Sequence, residues 1–178
     1  MTLPIAGINL PTLKGAYDHD LAPNEQHPDW GHEFTPMLAY RYLAAARELG
    51  FGAVRLWLCE NREGIRTEGG RIVGGDPVLL DHLAAFQEGA RIAQLQVYWT
   101  LLDANAWQRN GDALTAAILS DPATTADFVE HVALPIARVL DADVAFAVEV
   151  VNEPESLTDE VHPGVGLPWA TVVRGIAT

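Results

Sequence analysis

The sequence has a single cysteine, few cations and no long apolar run. Cys59 has no second cysteine to pair with in the chain, so no intramolecular disulfide frames the fold and nothing implies an oxidising compartment. A small packed apolar side chain is expected there. Only 11 Lys and Arg stand against 24 acidic residues, a formal charge of −13, which repels phosphate backbones and anionic lipid surfaces. Nucleic acid and membrane are therefore not expected as partners, whereas a neutral ligand such as a sugar meets no such barrier. No stretch approaches the ~20 apolar residues of a bilayer span. Met1-Thr2-Leu3-Pro4 runs directly into the first apolar segment, with no basic or apolar leader, and a cytoplasmic location is the expectation. No Gly-x-Gly-x-x-Gly follows the first apolar run, which removes the main dinucleotide reading and leaves no cofactor called for. The histidines form neither a His-x-His at a strand end nor a His-Glu-x-x-His on a helix, so no metal site is expected. Asp18-His19-Asp20, His27 and His32 read as solvated loop residues.

What the chain does have is apolar sequence, 49% of its residues, enough for one good core; length alone would suggest a single domain. Short runs rich in β-branched and aromatic residues at Ile5–Leu10, Ala53–Leu58, Leu95–Leu102 and Val144–Val151 predict strands. Between them, Thr35-Pro36, Asp76-Pro77 and Asp121-Pro122 each set an N-cap residue before a proline at the first helical position. The first helix should stop at Gly50, and Pro135 should kink the third. Ile65–Val73 reads as a hairpin turning at Gly69-Gly70. The residues from Asp103 to Ser120 read as a long loop, and Pro168–Thr178 as the opening of a fourth helix.

Strands alternating with such helices imply parallel βαβ units, in either an open doubly wound sheet or a barrel. Helix-to-strand connections are short and strand-to-helix connections long (Pro11–Phe34, Cys59–Gly75, Asp103–Ser120), so elaboration is confined to one face, as in barrel enzymes. Alternation within the strands sharpens the choice. Val54, Leu56 and Leu58 share one face and Ala53, Arg55 and Trp57 the other; Phe146, Val148 and Val150 oppose Ala145, Ala147 and Glu149. A bulky apolar face under helices and a face of small and charged residues toward a cleft predict a (β/α)8 TIM barrel. Equivalent points Asn9, Trp57, Leu102 and Asn152 fall roughly 45 to 50 residues apart, so eight units would need about twice this length and only the first four βα units are expected here.

Asn152-Glu153-Pro154 follows directly on a buried strand. With it stand Gly7-Ile8-Asn9, Gly52-Ala53-Val54-Arg55-Leu56-Trp57-Leu58, and Thr100-Leu101-Leu102-Asp103 followed by Trp107. In order and spacing, over nearly all of residues 1–178, these segments resemble the N-terminal half of the catalytic barrel of clan A glycoside hydrolases, the cellulase- and mannanase-like families related to family 5. That resemblance implies a retaining hydrolase of β-linked sugars, with an oligo- or polysaccharide as partner. It implies that Glu153 is the general acid/base, that Asn152 hydrogen-bonds the sugar 2-hydroxyl, that Arg55 supports the carboxylates, and that Trp57, Trp107 and Asn9 contact substrate. Asp103 stands among the substrate contacts where many members carry histidine.

The resemblance also implies a nucleophilic glutamate at the end of a seventh strand, beyond these residues. Glu60, Asp103 and Glu155 do not occupy its position, so the isolated chain is expected to be inactive, and exposed half-barrel edges are expected to self-associate. Two other readings remain open: a catalytically silent carbohydrate-binding half-barrel, and a metal-dependent barrel hydrolase. On the residues alone, Arg55 and Glu149 can equally be a buried pair that satisfies itself.

Overall fold

A computed structural model describes residues 5–105 and 113–177; Trp107 lies outside them. Along the chain come β1 (Gly7–Asn9), α1 (Pro36–Glu48), β2 (Ala53–Trp57), β3 (Ile65–Glu68), β4 (Arg71–Gly75), α2 (Pro77–Ala93), β5 (Gln96–Asp103), α3 (Leu114–Ser120), α4 (Pro122–Phe128), α5 (Leu134–Val139), β6 (Ala145–Asn152) and α6 (Trp169–Ala177). β1, β2, β5 and β6 form one sheet in that order, with every neighbour parallel. This is the sequential, one-way strand order of four consecutive barrel units.

The three proline-led helix starts form as their sequence dictates. The Thr35 hydroxyl accepts from Leu38 N at 3.1 Å, the Asp76 carboxylate from Val78 N at 2.8 Å and the Asp121 carboxylate from Thr124 N at 2.9 Å, each satisfying an amide that the first helical turn leaves unpaired. Gly50, at φ +87°, ends α1. Pro135 shapes the third helical stretch by a different route from a simple kink. Because its ring nitrogen cannot donate to the carbonyl four residues back, the ladder widens into a π turn at Val129–Ala133 between α4 and α5. Gly69 and Gly70, both at positive φ, close the β3–β4 hairpin, which Arg71 clips to α4 through Asp127 at 2.8 Å.

The apolar core lies between sheet and helices. Leu56, Leu58, Val97 and Trp99 meet Leu43, Leu79, Leu83 and Phe86, all of them buried, with Phe86 edge-on to Trp99 at 5.5 Å. Two expectations need correction. The segment before Pro122 is not all loop: Leu114, Ile118 and Leu119 recur at helical spacing and bury one side of α3. Phe146 and Val148 are not under covering helices either; each is 48% exposed. A bulge pairs Val97 with Ala145 but Tyr98 with Ala147, turning Phe146 to the open face, 5.9 Å from the Tyr98 ring. β6 is moreover an edge strand, and α6 packs beside α3.

The first long loop is held down by carboxyl groups that are anything but solvated. Asp20 is buried and accepts from Leu13 N at 3.1 Å. Glu63, fully buried after β2, takes the backbone N–H groups of Leu21 and Ala22, the second at 2.6 Å. The two acids also hydrogen-bond each other. Burial pushes the Asp20 carboxyl up to about 6, and burial together with repulsion from Asp20 raises Glu63 well above the usual carboxylate range. His19 and His27 stay part-exposed and pack on the exposed Trp30 ring, the latter stacked at 3.6 Å.

A raised acid binds its proton more tightly folded than unfolded, so the stability it contributes is full below about pH 4 and is lost as pH rises through 6. Thermal melts should therefore show Tm falling between pH 4.5 and 7.5, with a shallower fall in Asp20→Asn. Equal slopes in the two proteins would remove this account of the pair.

Candidate active site

The parallel register sets a row of polar groups on the open face of the sheet. Arg55 pairs with Tyr98, Trp57 with Thr100, Thr100 with Glu149, and Asp103 with Asn152. Arg55 lies below the strand ends and serves all three neighbouring positions. Its Nε donates to Thr100 Oγ1 at 3.0 Å and its Nη2 to Asn152 Oδ1 at 2.9 Å, while a salt bridge joins it to Glu149. Thr100 Oγ1 in turn donates to Glu149 Oε2 at 2.8 Å. The guanidinium also lies 4.3 Å from the Trp57 ring centroid and 5.2 Å from that of Tyr98, a part-buried cation–π arrangement. The pairing with Glu149 is thus real, and it is one contact of a larger network.

Asn152 ends β6 with its amide orientation fixed from both sides. Oδ1 accepts from Arg55, and Nδ2 donates to Asp103 Oδ1 at 3.0 Å. An amide nitrogen carries two hydrogens, so a second N–H remains for a ligand in the cavity above. That cavity measures about 390 Å³ and is lined by Pro11, Tyr17, Trp57, Glu60, Asp103, Asn105 and Asn152.

The chain turns sharply at Glu153, whose φ of 49° and ψ of 56° lie in the left-handed region, a conformation costing a non-glycine residue ~1–2 kcal/mol. Pro154 then opens a tight turn through Leu157. The result is an exposed Glu153 carboxylate beside the cavity, where Asn105 Nδ2 donates to its Oε2 at 2.5 Å.

The expected residues therefore separate by position. Asn152, Asp103 and Trp57 line the cavity, Arg55 underlies them, and Glu153 stands beside them through Asn105. Trp57 is only 8% exposed, and the Arg55 guanidinium sits over its ring. Asn9 does not reach the cavity: it pairs with Arg55 in the sheet and lines a separate depression of about 310 Å³ with Gly7, Tyr98 and Phe146. Trp107 falls outside the described residues.

Sequence reasoning missed Asn105, Glu60 and Tyr17 as cavity residues. The Asp103-x-Asn105 spacing was the available signal, because an Asp side chain often accepts from the backbone two residues on, as it does here at 3.2 Å. A larger groove of about 1130 Å³ lies on the helical side between Leu119, Pro122, Val129, Leu134 and Arg174. It contains none of these convergent groups, so the smaller cavity is the candidate site. Among the described residues, no group of three or more His, Cys, Asp or Glu is placed to hold a metal ion, and no helix is long and apolar enough to cross a membrane.

This is the fold of the (β/α)8-barrel glycoside hydrolases, in the part that carries four parallel strands. Among solved structures, the chain is similar to a β-1,4-mannanase from the sea hare Aplysia kurodai, with a TM-score of 0.70, 16% identity, and 86% of this chain and 43% of that one covered. It is similar to a β-1,4-D-mannanase from Cryptopygus antarcticus at a TM-score of 0.69 and 18% identity, covering 87% of this chain and 41% of that one. A GH5_18 protein from Streptomyces cattleya in complex with Manβ1-4GlcNAc matches at a TM-score of 0.64 and 18% identity, over 98% of this chain and 42% of that one. The chain thus spans about two fifths of the length of the structures it matches. No protein-family model and no curated protein sequence matches it.

Arg55→Lys tests the network that supports the site. Lysine keeps the charge but loses the planar fork that serves Thr100, Glu149 and Asn152 together. Chemical denaturation should show a loss of about 1–3 kcal/mol, between the values for exposed and buried pairs, and the side-chain amide signals of Asn152 should shift. An unchanged midpoint with an unmoved Asn152 amide would contradict the role assigned to Arg55.

Proposed function

We propose that this chain carries the acid/base half of a retaining glycoside hydrolase active site for β-linked sugars. The observation that supports this most directly is Asn152-Glu153 at the end of the fourth parallel strand, with the Asn152 amide locked between Arg55 and Asp103. In this reading the remaining N–H of Asn152 faces the sugar 2-hydroxyl. Glu153 gives its proton to the glycosidic oxygen as the bond to the leaving group breaks, while a second carboxylate attacks the anomeric carbon from the other side. Glu153 then takes a proton from the water that releases the sugar.

The second carboxylate is assigned to a residue outside these 178. Asp103 is a poor substitute, because its Oδ1 already accepts from Asn105 N, Asn105 Nδ2 and Asn152 Nδ2. The mannanases among the structural neighbours make β-1,4-linked manno-oligosaccharides the first ligands to try.

The chain alone should fail to hydrolyse aryl β-glycosides and β-1,4-manno-oligosaccharides. Adding a polypeptide that carries strands five to eight of a related barrel should give turnover that Glu153→Gln abolishes. Turnover by the lone chain that disappears in Glu153→Gln would show that the second carboxylate already lies within it and would overturn this assignment.

Self-association through the sheet edge accompanies this reading. The half-exposed Phe146 and Val148 sit on edge strand β6, and an open edge with apolar residues recruits partners. Sedimentation should show association that Val148→Lys weakens; a monomer at all concentrations would count against it.

A further inference from the structure

Glu153 is exposed, stands at the start of an irregular turn, and lies outside the Arg55 network that fixes its neighbour Asn152. A long side chain so placed samples several staggered rotamers unless something holds it. An acid/base catalyst must instead stay within about 0.5 Å of its working position. The described hydrogen bond to its carboxylate is the one from Asn105 Nδ2 at 2.5 Å.

Asn105 is itself unusually constrained. Its Nδ2 also donates to Asp103 Oδ1 at 3.3 Å, its backbone N donates to the same oxygen at 3.2 Å, and its Oδ1 accepts from Ser156 Oγ at 3.1 Å. Flipping the amide would turn its carbonyl oxygen toward two carboxylates, so the orientation is set by chemistry. The two strand ends that carry the pair are tied together by Ala104 N donating to Asn152 O at 3.1 Å, and the turn bearing Ser156 is tied to Glu153 by Ser156 N donating to Glu153 O at 2.9 Å.

We propose that Asn105 is the positioning residue for Glu153: its amide, oriented by Asp103 and Ser156, anchors Oε2 and leaves Oε1 as the oxygen that exchanges a proton with the glycosidic oxygen. The contact itself stands on geometry alone; its catalytic meaning rests on the glycosidase reading above. An oxygen already receiving a strong N–H donor is the poorer proton carrier, and the division of labour between the two oxygens follows from that.

The test measures the rotamer of Glu153 by three-bond couplings in the labelled full chain, with the backbone amide spectrum as a check on folding. In the unaltered chain Glu153 should occupy one rotamer. In Asn105→Ala it should average over at least two of the three staggered wells, and in Ser156→Ala, where the donor stays but its lock is lost, it should average partially. As a reading that does not need Asn105→Ala to fold, Glu153→Gln should shift the side-chain amide signals of Asn105. An averaged Glu153 in the unaltered chain, a single rotamer persisting in folded Asn105→Ala, or an unmoved Asn105 amide in Glu153→Gln would each overturn the proposal. Adding β-1,4-manno-oligosaccharide to the same samples separates it from the functional reading. Absent shifts at Trp57 and Asn152 would count against glycan binding while leaving the rotamer result intact.

Discussion

The guanidinium of Arg55 is the group on which the polar half of this molecule depends. It stands on β2, yet its partners lie on β5 and β6: Thr100, Glu149 and Asn152. A part-buried cation set against the rings of Trp57 and Tyr98 is best tolerated when its donors are used. That requirement works in both directions. The sheet must hold the parallel register that brings the three strands level, and the end of β6 must present Asn152 with its carbonyl oxygen inward. The same contact that satisfies the arginine therefore decides which atoms of Asn152 remain to face the cavity.

Much of this was legible in the sequence, because the signals were local. The alternation of β2, the three proline-led caps, Gly50 and the Gly69-Gly70 turn depend on neighbours a few residues away, and the structure forms each of them. What was not legible depends on partners distant in sequence. Nothing near Asp20 announces its burial; Glu63 and the amides of Leu13, Leu21 and Ala22 accomplish that together. Alternation also failed at Phe146, since a single bulge reverses the face of one residue without leaving a mark in the local pattern. Asn105 carried only the local Asp103 spacing as a signal; its importance lies in its contacts to Glu153 and Ser156, which meet it only once β5 and β6 are paired.

The likeness to mannanase structures, at identities near 16–18%, speaks for the backbone path rather than for chemistry, since one barrel hosts many reactions. Chemistry is argued from the site. Here a non-glycine residue is held at positive φ immediately after a strand, and such strain persists where the surroundings over-determine it and clusters at active sites. The surroundings are named: Pro154 opens the turn that follows, Ser156 N pins the Glu153 carbonyl, and Asn105 holds the side chain. A carboxylate that merely ended a strand would be free of all three. Their convergence on one exposed acid, beside an amide oriented by a part-buried arginine, is what separates this strand end from the other three in the sheet.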